Sequence, residues 1–425
     1  MKIYLDSIGC RLNQSEIEIM ASQFRQSGHE IVNSASEADL VVINTCAVTN
    51  AAASDSRQKI RQAAKSSDAP IIATGCWVTL EPEMAKGLPG VENIVLNQEK
   101  LNLVSDFLHI SPQIFDIEPI AREPLPGDHQ RTRAFVKVQD GCDNFCTFCI
   151  TKIARGKGVS IPISTVVHEI RNAVLGGVKE VVLSGVHLGS WGKDLQKMMC
   201  LSDLIKAILS DTDIKRIRLS SLEPWDLDDQ FFELWTDQRL CNHLHLPLQS
   251  GSDSILRRMA RKTTKQSYRD IVNNARDVNP EMALTTDMIV GFPGETDDDF
   301  SETLDFVQEI GFAGGHVFSF SSRPGTPAAK YDMQVSSSIR KRRSAVLRTI
   351  FKELAHTYQS KFISRNLDVL WESSIKLEQE KFLLKGLSGN YIKVSAIVTN
   401  DRWNIIENVH LENFYQDSII GVINE

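Results

Sequence analysis

No stretch of the 425-residue chain comes near the roughly 18 consecutive apolar residues that a membrane-crossing helix needs. Residues 1–6, MKIYLD, lead straight into a strand, so neither a targeting peptide nor a membrane span is expected. The expected setting is cytoplasmic, where disulfides are rare. Eight cysteines there read as ligands, catalysts or core residues. Strong positive charge is also lacking, and a net charge of −7 excludes a generic polyanion binder. At 425 residues the chain is too long for one core, which implies two or three domains.

Against this background one stretch is dense. GCDNFCTFC, residues 141–149, separates Cys142, Cys146 and Cys149 by three and then two residues. Such a loop can bring three thiolates to three corners of a cubane iron–sulfur cluster and leave one iron without a protein ligand. A zinc knuckle needs a fourth Cys or His close by, and a cluster that only passes electrons takes four cysteines. Neither pattern is present. CxxxCxxC with an aromatic residue, here Phe148, before the last cysteine resembles the signature of radical S-adenosylmethionine (SAM) enzymes. The resemblance implies a 4Fe-4S cluster on Cys142, Cys146 and Cys149 whose open iron chelates SAM.

Residues 1–108 alternate strand and helix. Residues 2–8, 39–45, 70–74 and 93–96 have the short apolar runs of buried parallel strands, and 14–27 and 51–66 have helical length. The pattern predicts an open doubly wound sheet. Cys10, Cys46 and Cys76 each follow a predicted strand, and the carboxyl ends of such strands share one rim where ligands bind. Three cysteines remote in sequence should meet there, as cluster ligands or as buried apolar side chains. SIGCRLNQSE, INTCAVTNAAASDSRQKIR and ATGCW resemble the three cysteine motifs of the methylthiotransferase amino-terminal domain. That resemblance implies an auxiliary 4Fe-4S cluster on Cys10, Cys46 and Cys76, within a domain spanning residues 1–110.

Prolines 112, 119, 124 and 126 break any regular pattern and mark residues 111–130 as a linker. Six apolar runs follow, at 134–138, 180–183, 216–219, 243–248, 284–290 and 316–320, with crossover helices such as 164–175 and 297–310. Six βα units predict a partial (β/α)6 barrel over residues 131–362. The radical SAM resemblance implies the same fold and places SAM contacts at Phe148, Gly176, Gly177, Glu180, Ser221, Glu223, Gln249, Ile289, Gly291 and Glu295. For Gly176 and Gly177, plain helix capping is the alternative. The family pattern continues after the cysteine loop with a proline, where this chain has Lys152.

Basic residues gather at Arg257, Arg258, Arg261 and Lys262, and again at Arg340, Arg342 and Arg343. They read either as RNA contacts or as solvated helix faces. Residues 363–425 switch to β-branched alternation, which predicts a small β-barrel. It resembles the RNA-binding TRAM domain, although its net charge is −3 from residue 365 onward. Tyr391, Trp403 and Tyr415 stand as base-stacking candidates or barrel core.

Ala47-Val48-Thr49-Asn50 and Ser56-Arg57 resemble the threonylcarbamoyladenosine group of methylthiotransferases. The resemblance implies conversion of N6-threonylcarbamoyladenosine at position 37 of tRNA to its 2-methylthio derivative. One SAM would methylate a sulfur on the auxiliary cluster, and a radical from a second would open the C–H bond. An external electron donor is implied. The alternatives are isopentenyladenosine in tRNA, an aspartate of a ribosomal protein, or a non-catalytic iron–sulfur RNA-binding protein. Cys200 and Cys241 fit no motif and read as structural, and no histidine is assigned a ligand role.

Overall fold

The computed structural model describes residues 1–116, 132–378 and 380–423, so most of the expected linker lies outside the described residues. Five parallel strands open the chain: β1 (Lys2–Ser7), β2 (Glu30–Ile31), β3 (Leu40–Thr45), β4 (Ile71–Gly75) and β5 (Val91–Val95). Their spatial order, β2-β1-β3-β4-β5, is doubly wound. Every residue of β3 is buried, as a central strand flanked on both faces requires. The helices Arg11–Gln26 and Asn50–Ser66 cover the sheet, close to the predicted bounds. Thr49 caps the second by accepting from the Ala52 N–H at 3.1 Å. β2, only two residues long, is too short for its pattern to be read in advance.

The second unit contains β6 (Arg133–Lys137), the short ribbon β7 (Gln139–Asp140) and β8 (Val159–Ser160), β9 (Glu180–Ser184), β10 (Arg216–Leu219), β11 (His243–His245), β12 (Ala283–Val290) and β13 (Gly314–Ser319). Two parallel sheets, β6-β9-β10 and β11-β12-β13, are joined by parallel bridges Ile217–Leu240 and Ser221–His245. The result is the expected six-stranded partial barrel, open between β6 and β13. The predicted strand 243–248 stops at His245, because Pro247 has no N–H to donate and Gln249 turns to φ +75°. The helix Arg11–Gln26 of the first unit packs on β6, beside the opening. Among the described residues no helix is long and apolar enough to cross a membrane.

Five antiparallel and parallel strands, β14 (Asn366–Lys376), β15 (Phe382–Ser388), β16 (Lys393–Val398), β17 (Ile406–Tyr415) and β18 (Ser418–Val422), close into the small barrel predicted. It sits against the amino ends of β9–β11. Arg216 donates to the carbonyls of Leu387 and Asp368, and Arg218 to those of Ser388 and Gly389. Arg218 also pairs with Glu180 at 2.7 Å, both side chains being fully buried. Burial opposes ionisation of Glu180, yet the Arg218 charge holds its carboxyl below the usual range. A buried arginine without its carboxylate, or the reverse, is strongly destabilising. Arg218→Met is therefore expected to cost about 3–5 kcal/mol and to lower the urea midpoint. An unchanged midpoint would show that this pair does not hold the small barrel in place.

Candidate active site

Cys10, Cys46 and Cys76 stand just beyond the carboxyl ends of β1, β3 and β4, three neighbouring strands. The predicted convergence on one rim is observed. Gly9 and Gly75 set its shape, with φ near +100° at each. A Cβ on Gly9 would lie 2.5 Å from the Cys46 Sγ, and one on Gly75 2.4 Å from the Thr45 carbonyl. Only glycine allows the loops to approach this closely. Cys46 and Cys76 are buried and Cys10 is exposed. Burial pushes the Cys46 thiol up to about 11, so its proton is tightly held.

A cationic network lies beside the rim. Glu16 accepts from Lys100 at 2.8 Å, Lys137 at 3.2 Å and Arg155 at 2.9 Å, all within the protein interior. Arg155 also reaches Asn13 Oδ1 at 2.7 Å and Asp140 at 2.9 Å. Three cations face two carboxylates, and the Arg155 charge acts on Cys10 and Cys46. Because Glu16 and Lys100 belong to the first unit and Lys137, Asp140 and Arg155 to the second, this network also bolts the two units together.

The second cysteine loop, 141–149, leaves the β7 end of the short ribbon. Gly141, at φ +68°, has no room for a Cβ, which would lie 1.8 Å from the Lys157 carbonyl. Backbone N–H groups of Asn144 and Thr151 donate to the sulfurs of Cys142 and Cys149 at 3.4 Å each. Arg261 Nη1 lies 3.8 Å from the Cys146 sulfur and pairs with Glu223 at 2.6 Å. Burial pushes the Cys142 thiol up to about 11. Lys152, in place of the expected proline, lays its ammonium 3.5 Å from the Phe145 ring centroid and braces the loop from outside. Phe148 and Ile289 pack against Ile255, Met259, Phe292 and Phe320.

The two loops are adjacent. The helix Thr151–Arg155, immediately after Cys149, packs against the helix Cys76–Leu80, whose first residue is Cys76. Asn97 bridges them, reaching the Cys76 sulfur at 3.5 Å and the Ala154 carbonyl at 2.7 Å. Arg323, beyond β13, donates to the Ala47 carbonyl and to Asn50, which ties the Cys46 loop to the barrel rim.

Residues 2–97 match the model of uncharacterized protein family UPF0004, and residues 136–307 that of the Radical SAM superfamily. The threonylcarbamoyladenosine tRNA methylthiotransferase of Bacillus subtilis is 36% identical over 406 residues, covering 93% of this chain and 90% of its own. That of Thermotoga maritima is 35% identical over 431 residues, covering 99% and 96%. The chain belongs to the radical SAM methylthiotransferase family. A tRNA-2-methylthio-N(6)-dimethylallyladenosine synthase of Ehrlichia chaffeensis is 30% identical over 437 residues, covering 99% of both chains. The radical SAM methyltransferase TsrM from Kitasatospora setae shares the fold, with TM-score 0.57 at 13% identity over 77% of this chain and 76% of its own.

A radical SAM methylthiotransferase works with 4Fe-4S clusters and SAM. Both cysteine sets fit such clusters: three thiols each, neighbouring N–H donors at the 141–149 loop and positive charge beside both. Among the described residues no group of three ligating side chains closes on a single metal ion. Three thiolates that take separate corners of a cubane have no need to do so.

Of the expected contacts with SAM, Glu223 and Ile289 lie beside the 141–149 loop, Ile289 in one apolar cluster with Phe148. Glu223 reaches it through Arg261, Ser221 bridges to His245 two residues earlier, and Gln249 pairs by its backbone with Met288. Gly291 donates to Glu295 at 2.6 Å and has Arg340 packed where a Cβ would be, 2.1 Å away. Gly176, Gly177 and Glu180 are not brought there. They precede or begin β9, at the opposite end of the strand, where Glu180 is spent on Arg218 and the Gly177 carbonyl accepts from Asn404 at 2.9 Å. Helix capping, the plainer reading, holds for Gly176, which follows the helix Ile163–Leu175.

The basic runs also divide. Arg261 and Arg343 are buried in ion pairs with Glu223 and Glu295, Arg258 reaches the Pro293 carbonyl, and Arg340 the Phe320 carbonyl. Their roles are internal, whereas Arg257, Lys262 and Arg342 remain exposed. Tyr391 is likewise turned inward, stacked on His243 at 4.4 Å between ring centroids. Cys241 is buried, but Cys200 is exposed at a helix start.

Two groups of histidines were missed. His187 binds Asp226 at 2.5 Å and lies 3.4 Å from Asn144, inside the cysteine loop. His245 and His316 share Asp287 at 3.3 and 3.2 Å in the barrel interior. The alternation His243-Leu244-His245-Leu246 was the available signal, since it puts both histidines on one strand face.

Proposed function

We propose that the chain converts N6-threonylcarbamoyladenosine in tRNA to its 2-methylthio derivative, in the cytoplasm and with an external electron donor. In this reading Cys142, Cys146 and Cys149 hold the SAM-binding cluster, and Cys10, Cys46 and Cys76 the auxiliary one. The adjacency of the two cysteine sites carries it. They flank one packed pair of short helices, whose axes such packing sets about 8–10 Å apart. A second site with an open iron, placed that close to the first, suits a cluster that holds sulfur better than one that relays electrons.

When bound, SAM and the clusters supply a radical to open the C–H bond and the sulfur that takes the hydrogen's place. The protein's own work is positional. Arg261 fixes Cys146 and Glu223, the Glu16 network locks the rim against the barrel, and Arg323 holds the Cys46 loop over the opening. Exposed Arg257, Lys262 and Arg342 are the remaining candidates for phosphate contacts. Relatives named for threonylcarbamoyladenosine, at 35–36% identity, support this substrate over the dimethylallyl one, at 30–31%.

Mass spectrometry of tRNA nucleosides from cells with and without the protein tests the reading. 2-Methylthio-threonylcarbamoyladenosine is expected only with the protein. A methylthio mark on isopentenyladenosine would overturn the substrate, and no change in any nucleoside would overturn the reaction on tRNA.

A further inference from the structure

The interior of the partial barrel carries a charged lining that neither cysteine site uses. On β12, residues 285, 287 and 289 alternate with buried neighbours and face inward. Asp287 accepts from His245 Nε2 at 3.3 Å and from His316 Nδ1 at 3.2 Å. His316 and, two residues on, Phe318 are exposed on β13 although its intervening Val317 is buried, so both open onto the same space. Their rings are 6.4 Å apart.

Arg11 enters this space from the first unit. It follows Cys10 directly, and its guanidinium donates to the Tyr391 hydroxyl at 2.8 Å, where Tyr391 rises through the barrel floor against His243. Its charge acts on both His243 and His316. Among the described residues its side-chain partner is this neutral hydroxyl and no carboxylate. Asp287, in the same lumen, is taken up by two imidazoles. The lumen thus offers a cation with spare hydrogen-bonding capacity and an exposed aromatic ring, next to the cysteine rim.

We propose that Arg11 and His316 bind the carboxylate of the threonylcarbamoyl group, with Phe318 stacking on the base, and so select the modified adenosine and aim it at the Cys10 rim. This rests on the substrate reading above. On adenine, C2 and the carbon that bears N6 flank the same ring nitrogen, so a group anchored through N6 beside Cys10 carries C2 toward the same side. An isopentenyl group has no charge to offer. It would strip water from Arg11 and return nothing, the situation in which polar sites discriminate most strongly.

Binding of labelled anticodon stem-loops to the full chain tests the proposal without requiring turnover. Four loops are compared by anisotropy: threonylcarbamoyladenosine, its methyl ester, isopentenyladenosine and plain adenosine. The native protein is expected to prefer the free acid to the ester and to plain adenosine by about ten-fold or more, the value of a charge-assisted pair. Arg11→Gln and His316→Leu should each remove most of that preference. His316 belongs to β13 and to neither cysteine loop, so its variant decides the matter should Arg11→Gln disturb the rim. A free-acid preference that survives both substitutions, or a methyl ester that binds the native protein as tightly as the free acid, overturns this inference alone. A native preference for the isopentenyl loop, or none for any loop, overturns the substrate reading and the inference with it.

Discussion

A Cys146→Ser protein is expected to cleave no SAM. Iron in a cubane held by three thiolates has no spare protein ligand, and the structure provides no fourth cysteine at the 141–149 loop to take over. Serine at this position would also leave Arg261, 3.8 Å from the sulfur and buried, facing a neutral hydroxyl in place of an anionic ligand. Anaerobic incubation with SAM and dithionite should yield 5′-deoxyadenosine at background level, and iron content should fall by about half, one of two clusters being lost. The same outcome is expected for Cys142→Ser and Cys149→Ser. Sustained 5′-deoxyadenosine formation by any of the three would show that the loop does not hold the SAM-binding cluster.

The reach of the sequence differed by the kind of residue. The cysteines were legible because strand ends and tight loops are local facts: Cys10, Cys46 and Cys76 end three runs of apolar residues, and the parallel sheet does the rest. For the loop 141–149 the expectation rested on spacing alone. Glu180 was misplaced although its strand was correctly drawn. It is the first residue of β9, and ligands gather at the carboxyl ends of parallel strands, so its position already argued against SAM. What could not be read was its partner, because Arg218 and the carbonyls of residues 388 and 389 come together only when the third unit docks.

Arg261 and Arg343 illustrate the same limit. Each sits in a basic run that looks solvated, and each is turned inward by a carboxylate remote in sequence, Glu223 or Glu295. A charge run reports composition, whereas burial is decided by helix phase and by the partner across the fold. The barrel histidines went unassigned for the converse reason: His245 and His316 are 71 positions apart and acquire meaning only through Asp287 between them.

Replacing Cys46 with alanine separates the two chemistries. Cys46→Ala removes one of three thiolates at the first rim, yet the 141–149 loop and its supports, Gly141, Arg261 and Lys152, lie in the other unit and are bonded among themselves. SAM cleavage is therefore expected to persist, and methylthio transfer to tRNA to fall to background. The substitution is also mild for the fold, because alanine fills most of the small buried site and the neighbouring N–H of Cys46 keeps its bond to the Ser56 hydroxyl at 3.0 Å. Two assays on one preparation decide it: 5′-deoxyadenosine formed, and 2-methylthio nucleoside in the digested tRNA. Loss of both would mean that the rim supports the SAM site structurally, through the helix pair that joins Cys76 to Thr151–Arg155. Full methylthiolation by the variant would remove Cys46 from the ligand set, and with it the case for an auxiliary cluster on this rim.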